Sequence, residues 1–261
     1  MDRKSKKQLL ADLRVARFVL FVLTFFAMTA ISAGQTPPVG QEHAGHEGMS
    51  MPMDSAAAAK LQEKILADKR ESEFNHHLAG FFVIVAGIFI LFQSNLAKKW
   101  PPARFVWPAC FLLAGLFVLV WSDTELWPFG HRQWLEALQD NREVLQHKTF
   151  ALLLLLLGAI EWQKARGVLK STWSNWVFPA VAMIGSMLLI FHQHEGGMVG
   201  EHHMETMQRI KNEHMSYLLI GLGIGVTNGL SGLRTPIAGI FSKVWPVLMV
   251  TLGVLLMLYK E

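Results

Sequence analysis

The sequence predicts an all-α, polytopic membrane-helix bundle, and three observations carry that expectation. Of the 261 residues, 52% are apolar and the mean hydropathy is positive at +0.31, the profile of a chain largely solvated by lipid. After the first forty positions come six apolar stretches of about twenty residues, the length that crosses a hydrocarbon core. The turns between them alternate between basic and acidic, as they do when successive turns face opposite sides of a membrane.

Residues 1–34 carry Arg3, Lys4, Lys6, Lys7, Arg14 and Arg17, then an apolar run from Phe18, then Ala30-Ile31-Ser32-Ala33-Gly34. A basic head, an apolar middle and a small-residue site make a secretory signal peptide, with an uncleaved anchor helix as the alternative. Residues 35–75 follow as an extracytoplasmic tether. Pro37, Pro38, Pro52 and several glycines leave it without an apolar period. It contains His43, His46, Met49, Met51 and Met53, five soft or borderline ligands within eleven residues. A mobile chain with these side chains can wrap a copper ion without a folded pocket. Positions 61–74 form a short amphipathic helix, with Leu61, Ile65 and Leu66 on one side.

The six-span domain occupies residues 76–261, with spans over 76–97, 104–123, 147–163, 175–192, 214–231 and 243–259. Lys98, Lys99 and Arg104 lie between the first two spans, Lys164, Arg166 and Lys170 between the third and fourth, and Arg234 and Lys243 between the last two. Basic turns stay in the cytoplasm, so the acidic turns face the periplasm of a bacterial inner membrane. Glu161 reads as an interfacial acid paired with Lys164, and Gly80 and Gly87 as a small-residue seam for close helix contact. The net charge of +4 follows from this siding and does not point to nucleic acid. A lone Cys110 within the second span excludes an intrachain disulfide or a thiolate cluster. Nothing resembles a phosphate loop, a nucleophile triad or a carboxylate dyad, so a soluble-type hydrolase is not expected and no enzymatic activity is assigned.

With this siding all eleven histidines fall on the periplasmic side. An imidazole at a membrane surface is commonly no more than a hydrogen-bonded polar residue; the grouping argues for ligands. Residues 192–215 hold five of the histidines and four of the thirteen methionines. A helix extending the fifth span outward puts His203, Met207, Ile210 and His214 on one face. His192 and His194 point about 200° apart on a helix, so both reach one ion only if the helix ends between them, and Gly196-Gly197 supplies such an end. His76 and His77 open the first span and His147 the third. His77, His147, His192 and His214 therefore come from four helices that end at one surface. Asp123 and Glu125 in the second loop can stand behind a metal ligand.

Asn75-His76-His77, Gln146-His147-Lys148, His192-Gln193-His194 and the 202–215 loop together resemble the inner-membrane copper resistance proteins of the CopD type. The resemblance covers the general plan of the six spans and implies copper handling at the periplasmic face. This chain has fewer spans than the usual members and a His/Met tether in place of a folded periplasmic copper-binding domain.

Two functions are therefore expected. In the first, copper is captured by the tether, passed to the span-end histidines with Met198, Met204 or Met207, and used for resistance, uptake or delivery to a periplasmic chaperone or cuproenzyme. In the alternative, the protein is a membrane cytochrome with haem b held by His77, His147, His192 or His214. Haem ranks second because these histidines sit at helix mouths beside polar neighbours, Lys148 among them.

Overall fold

The computed structural model describes residues 55–191, 203–233 and 236–260. The expected signal segment and the ligand tract from His43 to Met53 lie outside the described residues, as do His192, His194 and His202. Seven α-helices are described: α1 Ser55–Lys99, α2 Val106–Trp121, α3 Trp134–Asp140, α4 Arg142–Ala165, α5 Val177–Leu188, α6 His203–Ser231 and α7 Ala238–Met257. Tight 3-10 turns, Pro101–Phe105 and Thr172–Trp176, lead into α2 and α5, and Leu189–Phe191 extends α5. No strand occurs among the described residues.

Five helical segments are long and apolar enough to cross a membrane: Ala59–Lys99, Pro101–Trp121, Arg142–Ala165, Thr172–Phe191 and Ala238–Met257. The helix holding the expected fifth span, α6, is not among them. Its first turns carry Arg209, Lys211 and Glu213, and Asn228 lies near its end. The fold is thus that of a multi-pass helical membrane protein, with five helices among the described residues long and apolar enough to cross a bilayer.

The short amphipathic helix and the first span are one continuous helix of 45 residues. At 1.5 Å per residue α1 is about 67 Å long, roughly twice a hydrocarbon core. A separate start at His76 was expected from the change in polarity there. Polarity does not interrupt a helix when neither Gly nor Pro intervenes, and the His76 ring ties itself to the carbonyl of Ser72 one turn back, at 2.8 Å. Elsewhere the ends follow local chemistry. Asn141 caps α4 by accepting the Val144 N–H at 2.9 Å, which starts that helix five residues before His147.

The long helices form a closed ring in which each packs on its sequence neighbour, α1 on α2, α2 on α4, α4 on α5, α5 on α6 and α6 on α7, and α7 returns to α1. Small residues permit the closure. A Cβ on Gly80 would stand 2.7 Å from the Gly253 carbonyl, and one on Gly253 would stand 2.8 Å from the Gly80 carbonyl. Gly87 abuts the Pro246 carbonyl, so the seam expected at Gly80 and Gly87 is the α1–α7 contact. Gly115 and Gly158 play the same part between α2 and α4. In lipid, where apolar surface alone gives little drive to associate, such close backbone approach is what holds helices together.

At the basic end, Glu161 is 3% exposed and accepts from Lys164 at 2.8 Å, as expected. Thr227 donates to the Gly223 carbonyl of its own helix at 2.6 Å. At the opposite end the loop after α2 folds into a cap. Leu126 is buried against Val144 and Ala137, Arg132 pairs with Glu125 at 3.1 Å, and Trp134 donates from its indole to the Trp127 carbonyl. The helix α3 in this loop was not foreseen.

Candidate functional site

The described histidines that open spans gather at the end of the ring opposite the basic turns, in two linked groups. The first surrounds Tyr259, just past the end of α7. Its ring stacks on His76 with centroids 3.9 Å apart, and its carbonyl accepts from His77 Nε2 at 3.0 Å. His214 of α6 stands edge-on to both, 6.2 Å from His76 and 6.3 Å from Tyr259, with Tyr217 at 5.8 Å. His214 is buried to 6% exposure.

The tautomers of these rings follow from their acceptors. A carbonyl oxygen can only accept, so the Nδ1 of His76, bonded to the Ser72 carbonyl, carries the proton. The Nδ1 of His214 does likewise towards the Ile210 carbonyl at 2.8 Å. In the neutral rings the lone pair is therefore on Nε2 in both, and on Nδ1 in His77. Backbone acceptors that fix the tautomer in this way are a regular feature of histidines that bind metals. Ser72 Oγ, Asn75 Oδ1 and Glu213 Oε2, on residues flanking His76 and His214, are buried without a hydrogen-bond partner. Buried oxygens of this kind call for a proton donor, a water or a cation.

The second group is an ion cluster beneath the loop cap. Asp123 accepts from His147 Nδ1 through Oδ1 at 2.9 Å and from Lys148 Nζ through Oδ2 at 2.6 Å. Ser122 Oγ also donates to Oδ2, at 2.5 Å, and the Trp134 ring lies 5.2 Å from the Lys148 ammonium. Burial works against the charge of Asp123, but the hydrogen bond and charge of His147, followed by those of Lys148, outweigh it. They bring the carboxyl down from 3.8 to about 2. Asn75, next to His76, links the two groups by donating from Nδ2 to the Ser122 carbonyl at 3.2 Å.

Of the residues expected to bind metal, the structure brings His76, His77 and His214 together and sets His147 beside Asp123. His203 and Met207 lie on the first turns of α6, where only the backbone is described, and that helix does extend outward from His214 to His203 as the spacing required. Among the described residues no three His, Cys, Asp or Glu side chains are arranged to hold one ion. Lys148, read from the sequence as a polar neighbour of His147 at a helix mouth, is 5% exposed, because Asp123 on the neighbouring helix end supplies its counter-charge.

Tyr259 was missed. A signal existed: the chain has only two tyrosines, and both pack against His214. Replacing Tyr259 by Ala is expected to free His76 and remove a large side chain that is 1% exposed, at a cost of about 3–5 kcal/mol. Tyr259→Phe, which keeps the stack, should stay within about 1 kcal/mol of the parent. Thermal unfolding in one detergent compares the two, and equal melting of both with the parent would show that the stack does not hold this end.

Comparison of the chain with protein families, with curated proteins and with solved structures found no match. The fold and composition define the class, a multi-pass helical membrane protein with a histidine- and tyrosine-lined end.

Proposed function

We propose that this is a copper-handling membrane protein that takes the ion as cargo at its histidine-lined end, for resistance, uptake or delivery. The observation that carries this is the gathering of imidazoles from α1 and α6 about Tyr259, with the Nδ1 protons of His76 and His214 committed to backbone carbonyls. Their ring centroids are 6.2 Å apart, within the reach of two imidazoles that share one ion at about 2 Å per bond. Neutral imidazole and thioether suit copper better than hard cations. The sequence adds His77, His147, His192, His194, His203 and Met207 as further ligands, and His43, His46, Met49, Met51 and Met53 as a feeder.

The same proposal places six spans in a bacterial inner membrane behind a signal segment, with α6 as the fifth span and the histidine end in the periplasm. Supporting this, Lys98, Lys99, Arg104, Lys164, Arg166 and Lys170 all lie at the other end of the ring. A periplasmic copper chaperone or cuproenzyme is the partner that such a site would serve. Haem b is the weaker alternative, because His76, His214 and Tyr259 pack within 6.3 Å of one another and leave no porphyrin-sized slot between facing imidazoles.

Metal analysis and a 400–600 nm spectrum of the full chain in lipid nanodiscs test the proposal. Bound copper without a Soret band is expected, with copper reduced at least tenfold in a His76→Gln/His214→Gln double variant. A Soret band lost in His147→Ala or His214→Ala, or the absence of copper after loading, would overturn it.

A further inference from the structure

We propose that Asp123 is the positioning residue of His147: it fixes the imidazole as the Nδ1–H tautomer and so sets Nε2 as its ligand nitrogen. The inference rests on the copper reading and adds to it a residue that does not itself touch the ion. The geometry is specific on both sides of the carboxylate. Oδ2 is held by Lys148 Nζ at 2.6 Å, with Ser122 Oγ 2.5 Å away, whose one proton also faces the Val118 carbonyl, and Oδ1 is left to meet His147 Nδ1 at 2.9 Å. A carboxylate with both oxygens so engaged is an acceptor only, and the imidazole must present its proton there. Ser122 is itself anchored, since its carbonyl accepts from Asn75 next to His76. The carboxylate is therefore placed by α1, the end of α2 and α4 together.

A purely structural triad would also bury these charges. The two roles differ in what they demand of the ring. An ion pair needs only charge, whereas a ligand needs one defined nitrogen with a lone pair. A carboxylate behind a histidine orients it, raises its basicity and typically accounts for about 10–100-fold in metal affinity.

The test uses the full chain in nanodiscs, with histidine labelled by 15N. Because Asp123→Ala alone would strand the Lys148 charge, the variant is Asp123→Leu/Lys148→Met, which removes both charges, with thermal unfolding as the check on folding. In the metal-free parent, the neutral His147 ring, its signal identified by its absence in His147→Gln, should carry its proton on Nδ1 and not on Nε2. In the double variant the two tautomers should mix. Copper(I) affinity, read against a competing chelator, should fall about 10–100-fold in the double variant and in His147→Gln alike. An unmixed Nδ1–H tautomer in the double variant, or an affinity within twofold of the parent, would overturn the inference. Copper lost in His76→Gln/His214→Gln but unchanged in His147→Gln would also overturn it, while leaving the copper reading intact. A parent that binds no copper would sink the copper reading and the ligand role of His147 with it, whatever its tautomer.

Discussion

Replacing Asp123 by Ala is expected to destabilise the protein by about 3–5 kcal/mol, because it leaves the Lys148 ammonium buried without a counter-charge. Lys148 and Asp123 have side chains only 6% exposed, so neither water nor salt can substitute for the lost partner. The Asp123→Leu/Lys148→Met double variant should return to within about 1–2 kcal/mol of the parent, since a well-packed apolar pair often replaces a buried ion pair at no net loss. Thermal unfolding of the three proteins at pH 7 decides the matter. Equal melting of the Asp123→Ala variant and the parent would mean that the triad adds nothing to the fold. The acid limb follows from the same geometry. The folded carboxyl is depressed from 3.8 to about 2, so its stabilisation is complete above about pH 4 and is lost as pH falls towards 2. The double variant should lack that limb.

Replacing Gly80 by Val is expected to break the ring at its closure. Its Cβ would stand 2.7 Å from the Gly253 carbonyl and 3.0 Å from the backbone nitrogen of Met257, both on α7, so α1 and α7 must separate. Overpacking of this kind costs about 1–3 kcal/mol where side chains can adjust, and the upper part of that range applies here because the obstacle is backbone. The consequence reaches the site, since the same α1–α7 contact holds His76 and His77 on Tyr259. The melting temperature should fall in Gly80→Val, and under the proposed copper function copper binding should fall with it. Gly239→Ala is the control, with nothing within 4 Å of the added carbon, and should be silent. A Gly80→Val protein that melts and binds copper like the control would show that the seam is not tight.

The element plan was legible because lipid imposes it. Backbone groups in hydrocarbon must bond within their own helix, so apolar runs bounded by Pro, Gly and charge read directly as helices. The expected starts at 104 and 175 fall within the turns that lead into α2 and α5, and Gly80 with Gly87 marked the seam in advance. The continuity of α1 was not legible, since a change from polar to apolar surface looks like a boundary in composition but is none to hydrogen bonding. Nor was α6 as simple as its apolar half suggested, with charged turns preceding His214 on the same helix.

For the site, the sequence by itself determined which side chains could serve as ligands and, through the charge of the turns, predicted one end for His76, His77, His147 and His214, where the structure places them. Periodicity and charge counting suffice for that, because they act along the chain or across the membrane as a whole. Only the tertiary structure decided which histidines meet. His76 and His214 are 138 positions apart and come together because α7 packs between α1 and α6, closing the ring on Tyr259. His147 instead turns to Asp123, 24 residues away, because α2 packs on α4 and its end sets that carboxylate beside the start of α4. Side-chain partners set by helix packing depend on close contacts between distant residues, and a sequence read along its length does not contain them in any local pattern.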